Sequence, residues 1–514
     1  MARRSLWRLW LVLVLLTACS DDVSRRTDAR ADGLHGDGPV ADVPVVDGSL
    51  VDVVPPEGGW PDGPVPEGGS TDGPGAPDAS TLQGLYVGPA GDDNAPGTLQ
   101  QPLKTFKKAL ALWQPGKEIR ALSGTFTEQL AISQSGTTAA PLRVVAAVGA
   151  TPVIDRAGQS GGKNILLTGQ HILVEGFEVR GSSNQCVDAA GKDIVVGKLL
   201  VHDCESHGVM VQGQGVTVRD TEIHTTVLEN KNGTGGGWGS ALKIAVGADG
   251  VTLERNKVYH NWGEGIALTR GKNITVRQCW SYDNWSVNIY VDNSLGVTVD
   301  RNLVTCTANS GFEKNGSPPT GIAMNEEYYQ GWGAQLADVV ISNNIVASCQ
   351  AGVVYWGSDV PNGGMKEVKI LHNTLYDSAG TALSIAHEAY KTQGSEIANN
   401  LIQQPAGKVA WIEDPTGISV HHNFWVGTAP ASWTNAVGAG DLSGDPKLAF
   451  SPGLAAKSYR LSSASPARDA AQKTSAVTLD FEGRTRSTVA SPGTDMGAME
   501  YGPVNDPCAF DQLW

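Results

Sequence analysis

The strongest constraint on this chain is a short motif that returns every 22 or 23 residues wherever it is uninterrupted. It reads ILVEGFEVRG at 172–181, IVVGKLLVHDC at 194–204, VTVRDTEIHT at 216–225, VTLERNKVYHN at 251–261 and ITVRQCWSYDN at 274–284. It continues as VTVDRNLVTC at 297–306, VVISNNIVASC at 339–349, VKILHNTLYDS at 368–378 and ISVHHNFWVG at 418–427. Within each copy apolar and polar residues alternate with the period of a strand, and Asn, Gly or Asp punctuate the corners. No amphipathic helical stretch separates the copies. A unit this short cannot bury a face alone, so the copies must stack. Three short strands per turn, each turn about 4.8 Å above the last, predict an all-β right-handed parallel β-helix of about 10–12 rungs. Asn256, Asn302, Asn344, Asn373, Asn400 and Asn423 fall at equivalent positions. Asparagine tolerates the left-handed backbone of a sharp corner, and stacked amides bond from rung to rung.

A second strand aligns in each unit: GVMVQ (208–212), ALKIA (241–245), GIALTR (265–270), NIYVD (288–292), GIAMNEE (321–327) and GVVYW (352–356). Positions two and four are large and apolar and face inward, so positions three and five face out. Lys243 therefore stands on the outer surface, with Ala267, Tyr290 and Ala323 above it and Met210 and Asp188 below. The adjoining column carries Thr269, Asp292 and Asn325, with Arg270 and Glu326 one step farther and Glu327 next to it. Trp238, Trp262 and Trp285 precede three successive strands in register and predict an aromatic column with a step close to the length of one sugar unit. Two rungs are too long, at 221–256 and 302–344, and both insertions flank the surface from Lys243 to Glu326, where a scaffold of this kind builds its binding grooves.

The ends of the repeat carry a family resemblance. YVGPAGDDNAPGTLQQPLKTFKKALALWQPG at 86–116, followed by SGTFTEQLAIS and GATPVIDRAG, resembles the opening of secreted β-helix polysaccharide lyases, in which a short helix caps the solenoid. GDPKLAF, YRLSSASPARDAA, LDFEG and DMGAMEYG resemble their last turns. The GSALKI stretch is similar to the lysine segment of polysaccharide lyase family nine. That family binds calcium through several aspartates, including an NSDDGWD run; NWGEGIA at 261–267 stands in its place here and keeps only Glu264 as a candidate ligand. Calcium is thus implied by the resemblance but most of its site pattern is missing, and no residue is assigned to a metal.

Three readings of the surface remain open. In the first, a lyase cleaves a uronic-acid polymer by β-elimination: Lys243 is the base, Arg270 the carboxylate clamp, and Tyr290 and Asp292 assist. The substrate-binding residues would be Trp238, Trp262, Trp285, Glu264, Asn325, Glu326 and Glu327. In the second, a glycoside hydrolase uses paired carboxylates, Asp292 with Glu326 or Glu264 with Glu326. The NTD, DD, GHG and RIK motifs of β-helix pectin hydrolases are absent as a set, and Ser206, His207 and Gly208 only echo one. In the third, the solenoid binds glycan or acts as a stalk without catalysis: an outward lysine on a sheet is usually just solvated, and tryptophans pack under turns.

The remaining features concern location. MARRSLWRLWLVLVLLTAC at 1–19 has basic residues, an apolar run and small residues, the layout of an export signal. It is too short for a comfortable span. Its end resembles a bacterial lipobox, which implies cleavage before Cys19, lipid on that thiol, and membrane contact through the anchor alone. Ser20 directs the expectation to the outer membrane or cell surface. Residues 20–80, rich in Asp, Gly and Pro, read as a disordered tether, and 81–514 as the β-helix domain. Residues 20–79 carry 13 acidic and 3 basic side chains, a net of -10 within the formal -15 of the chain. That balance, with no basic cluster, argues against nucleic acid as a partner and leaves polysaccharide; a monomer is expected. Of the six cysteines besides Cys19, Cys306 and Cys349 occupy neighbouring corners within bridging reach, while 186, 204, 279 and 508 read as buried singles.

Overall fold

A computed structural model describes residues 84–234, 238–329, 331–386, 392–427, 436–487 and 493–502. The export signal, Cys19, the tether and Cys508 lie outside the described residues.

Strands fall into three parallel sheets that the chain visits in turn. Within one rung, Asp249–Glu254 joins the first sheet, Lys257–Tyr259 the second and Glu264–Thr269 the third; the next rung repeats this with Lys272–Arg277, Trp280–Tyr282 and Val287–Asp292. The sheets hold 13, 13 and 11 strands. The stack is therefore slightly longer than the 10–12 rungs expected, because its first turns, built from strands such as Glu118–Ala121 and Leu142–Ala146, lack the readable motif. Alternation fixes the core: Val251, Leu253, Val258, Ile266 and Leu268 point inward, each at most 1% exposed. A short helix, Phe106–Leu112, caps the N-terminal end. The Thr105 hydroxyl accepts from the Lys108 amide at its start, and Phe106 packs on Phe126 and Phe177 at the beginning of the core.

The asparagine column forms a buried ladder. Asn302 donates its amide to Asn344 Oδ1 (2.9 Å), Asn344 to Asn373 (3.0 Å), Asn373 to Asn400 (3.1 Å) and Asn400 to Asn423 (2.9 Å). Between Asn256 and Asn302 the place is taken by the free, buried Cys279, whose backbone N–H donates to Asn302 Oδ1. The left-handed residue at each of these corners is the one before the asparagine: Arg255, Gln278, Arg301, Asn343, His372, Asn399 and His422 all have φ between 50° and 61°. The column is thus selected by its amide hydrogen bonds, not by tolerance of positive φ.

Cys306 and Cys349 form a disulfide (Cα separation 4.9 Å), and so do Cys186 and Cys204 (5.6 Å), contrary to the expectation that the latter two are single. Both pairs sit where the second sheet turns into the third. Cys204 ends a second-sheet strand and Cys186 precedes a third-sheet strand, so the corner brings together residues whose linear alignment does not match.

The closing segment does not extend the stack. It returns over the outer face of the second sheet, where Ala456, Tyr459, Phe481, Ala498 and Met499 cover Leu303, Ile345 and Ala347. Arg486, fully buried, donates to Asn343 Oδ1 and to the carbonyls of Gly497 and Ala498. One outer face is therefore sealed by the chain itself.

Candidate functional site on the third sheet

The third sheet keeps its outer face for side chains of a different kind. Backbone pairing places Asp188, Met210, Lys243, Ala267, Tyr290, Ala323 and Val354 in one vertical column, as the alternation predicts. Thr269, Asp292 and Asn325 form the next. That these columns face outward follows from packing. Leu242, Ile266, Ile289, Ile322 and Val353 belong to the main core, whereas Ala267, Val287, Tyr290, Ala323 and Val354 make a separate apolar cluster on the opposite face. Both insertions lie at the edges of this face. Residues 225–234, 238–239 and 306–319 border it on the side of the second sheet, and 327–329 with 331–336 on the side of the first.

The walls leave an acidic cluster around one cation. Lys243 is half-buried and, among the described residues, has no hydrogen-bond or ion-pair partner. Glu264 is buried and accepts a hydrogen bond from the Ser240 hydroxyl (2.8 Å). Burial raises its carboxyl above the usual range, opposed by the charge of Lys243 and the Ser240 bond. Asp292 is 4% exposed, and its Oδ1 has no partner. Burial, then the nearby charge of Glu327 and that of Glu264, push its pKa up to about 8 against the pull of Lys243. At neutral pH Asp292 is therefore mostly a neutral acid. Tyr290 is buried and donates to Glu327 Oε1 (2.7 Å), and burial together with the charges of Asp292 and Glu327 holds its phenol protonated. Glu327 itself is exposed.

Other expected members are placed elsewhere. Glu326 does not open onto this face: its side chain is 1% exposed, with Oε1 accepting from the Gln335 and Leu336 amides and Oε2 from Gly364. It anchors the return of the second insertion, where a β-bulge shifts the register between Met324 and Glu326. Neither carboxylate pair that included Glu326 is therefore assembled. Arg270 is occupied by the same insertion: its guanidinium lies 5.2 Å over the Trp332 ring and donates to the Gly333 carbonyl. Asn325 is half-buried beside Asp292, and no hydrogen bond to its side-chain amide forms among the described residues.

The tryptophans share a backbone register but not one stack. Trp238 and Trp285 approach each other (ring centroids 5.6 Å), with the Lys314 ammonium 4.3 Å from the first ring and 5.5 Å from the second. Trp262 turns instead to Phe312 (4.5 Å). Backbone register specifies where each side chain starts, while the insertions that supply Phe312 and Lys314 decide where it points. Lys314 and Trp356, 44% exposed and 5.6 Å from the Tyr290 ring, are site neighbours that the alignment did not single out.

Among the described residues no three His, Cys, Asp or Glu side chains come close enough to share a metal ion. With a lysine among the carboxyls and Glu264 bonded to Ser240, the donors present do not fit a calcium set. Two surface hollows of about 320 and 300 Å³ lie away from this face, beside Tyr86, Leu99 and Arg120 and beside His372, Val477 and Arg486. Neither is lined by a buried polar atom without a partner, whereas the third-sheet face has two, at Thr269 and Asp292. Unsatisfied buried polar groups are few in folded proteins; the described residues hold others away from this face, at Arg156, Asn164, Arg219, Ser378 and Gln403.

Comparison with known proteins agrees with this architecture. The family described as Pel9A-like, right handed beta helix region, matches residues 85–330, and that described as right handed beta helix region matches 244–425. An uncharacterized protein of Bacillus subtilis (strain 168), YwoF, is 23% identical over 398 residues, 66% of this chain and 80% of that one. Pectate lyase Pel9A is 16% identical and superposes with a TM-score of 0.51 over 82% of this chain and 96% of its own. A rhamnogalacturonan lyase is 15% identical, with a TM-score of 0.44 over 66% of this chain and 87% of its own. The Pel9A likeness, at 16% identity, speaks for the fold alone. With its three parallel sheets and these family matches, the chain is a pectate-lyase-like right-handed parallel β-helix protein.

Proposed function

We propose that the protein engages a polysaccharide along the outer face of its third sheet and cleaves a uronic-acid polymer there by β-elimination. The observation that carries this reading is that Lys243, without a hydrogen-bond or ion-pair partner among the described residues, shares one outer face with the buried Asp292, whose Oδ1 is open. Lys243, having given its own proton to solvent, takes the proton α to the uronate carboxylate. The electron pair moves into that carboxylate as an enediolate, then returns as a carbon–carbon double bond while the bond to the 4-linked oxygen breaks and that oxygen takes a proton from the Lys243 ammonium. A carboxylate that gains charge needs donors, and a neutral Asp292 supplies one without adding negative charge to the site. Tyr290 gives its one hydroxyl hydrogen to Glu327 and so adds no second donor. Arg270, occupied by Trp332 and Gly333, is left out of this mechanism.

A hydrolytic reading is favoured by one observation: Asp292 keeps its proton close to the exposed carboxylate of Glu327, the acid and partner that glycoside hydrolysis requires. The two readings give different products. Incubation with a panel of uronate polymers is expected to produce the ultraviolet absorbance of a new conjugated double bond. Lys243→Ala is expected to lower its rate by roughly 10²–10⁴-fold, the contribution of a general base. New reducing ends without that absorbance would instead indicate hydrolysis, and retention of polymer with neither signal a binding solenoid.

Export belongs to the same proposal: lipid on Cys19, an outer-membrane or surface position, and contact with the membrane through that anchor only. It is supported by the two disulfides, which persist in oxidising compartments.

A further inference from the structure

The column beside Lys243 continues one rung beyond the residues already considered. Met324 pairs with Tyr355 and Glu326 with Ser358, so Asn325 faces two residues, Trp356 and Gly357, across a bulge. Gly357 has φ 119°, a backbone conformation that a side chain would strain. Bulges of this kind re-aim the side chain beside them and recur next to active sites. Here the bulge leaves the Trp356 indole 44% exposed, while Val354 and Tyr290 in the adjoining column are each 4% exposed. Read upward, the column is Thr269 with a buried Oγ1 lacking a partner, Asp292 with a buried Oδ1 lacking a partner, the half-buried Asn325 amide, and then a flat aromatic ring.

We propose that Thr269, Asp292, Asn325 and Trp356 form one glycan-binding strip in which Trp356 is the stacking platform for the sugar beyond the cleavage point. This deepens, and rests on, the polysaccharide reading above. The chemistry that fits is a pyranose chain running along the helix axis. Rungs repeat at about 4.8 Å, so successive polar side chains meet the hydroxyl edges of successive sugars, and the indole receives an apolar C–H face as tryptophan does wherever one end of a ligand is apolar and the other wet. Tyr290 supports the platform from below, its ring 5.6 Å from that of Trp356. Trp356 touches no reacting atom in this scheme. Its role is positioning, so its loss weakens binding and KM, leaving kcat little changed.

The test is electrophoresis of the full chain through gels containing each polymer of a uronate and neutral glycan panel, with Trp356→Ala and Trp356→Phe compared at equal thermal stability. The expected result is retardation of the wild type by at least one polymer, roughly tenfold weaker for Trp356→Ala and largely restored in Trp356→Phe. Equal retardation of all three proteins would overturn the platform and leave the polysaccharide reading standing. No retardation of the wild type by any polymer would overturn both.

Discussion

At the scale of single residues, Asp292 is the group whose state departs furthest from what its type suggests. Its carboxyl is taken out of water with one oxygen unpaired, and the neighbouring carboxylates make ionisation harder still. The folded pKa of about 8 lies above the ordinary value of 3.8. The folded state therefore holds a proton that the unfolded chain releases, and the stability this proton confers is complete below the lower value and lost as pH rises through the upper one. Asp292→Asn keeps the shape and removes the titration. It is expected to unfold at a higher temperature than wild type above pH 8, by an amount on the order of 1–3 kcal/mol, and to differ little in acid. Thermal melts across pH check this; equal melting temperatures at both extremes would show that Asp292 ionises normally. The sequence revealed that Asp292 faces outward, but not that it is buried there, because burial comes from the insertions, which have no repeat to align with. The same limit explains Glu326: it stands one place beyond the outward column, where alternation turns a side chain away from that face, and the amides that hold it come from the second insertion and from Gly364.

At the scale of elements, the amide ladder ties the rungs together where the apolar pattern cannot. Asn344 sits in its middle, accepting from Asn302 and donating to Asn373 and to the Val299 carbonyl. Truncation leaves several buried groups without partners, each costing about 1–3 kcal/mol. Asn344→Ala is thus expected to lower unfolding stability by at least about 2–3 kcal/mol in denaturant titrations. A loss below about 0.5 kcal/mol, the level of a neutral surface change, would mean that the ladder does not hold the rungs. This element was visible in the sequence as a column of one residue type, since stacking turns chain periodicity into vertical identity. Of the two reasons the sequence offered, the amide bonding from rung to rung holds, whereas the left-handed corner belongs to the preceding residue, whose identity varies from Arg to His without a pattern. Cysteine pairing divides in the same way. Cys306 and Cys349 occupy nearly equivalent positions in two copies of the motif, one residue out of register, whereas Cys186 and Cys204 come from different strands and meet only because the corner folds them together.

At the scale of the molecule, the β-helix places distant parts of the chain side by side, and its closing segment covers the second sheet while the third remains bordered by loops. Lys243 and Asp292 belong to strands two rungs apart yet act on the same local field, each counted among the charges that shift the other's neighbours. The order of the columns was readable from alternation and period, which is why Lys243, Tyr290, Asp292 and Asn325 were found in register. Trp262 and Arg270 were not read correctly in direction, since the partners that draw them away, Phe312 and Trp332, come from the insertions. If the third-sheet face is one catalytic unit, base and acid must fail together. A double-mutant cycle on kcat/KM with the polymer that the wild type degrades tests this most directly, using Lys243→Ala, Asp292→Asn and their combination. The account predicts that each single change is severely damaging and that the double variant is no worse than the worse single. Losses that multiply, or a single variant as active as the wild type, would contradict it.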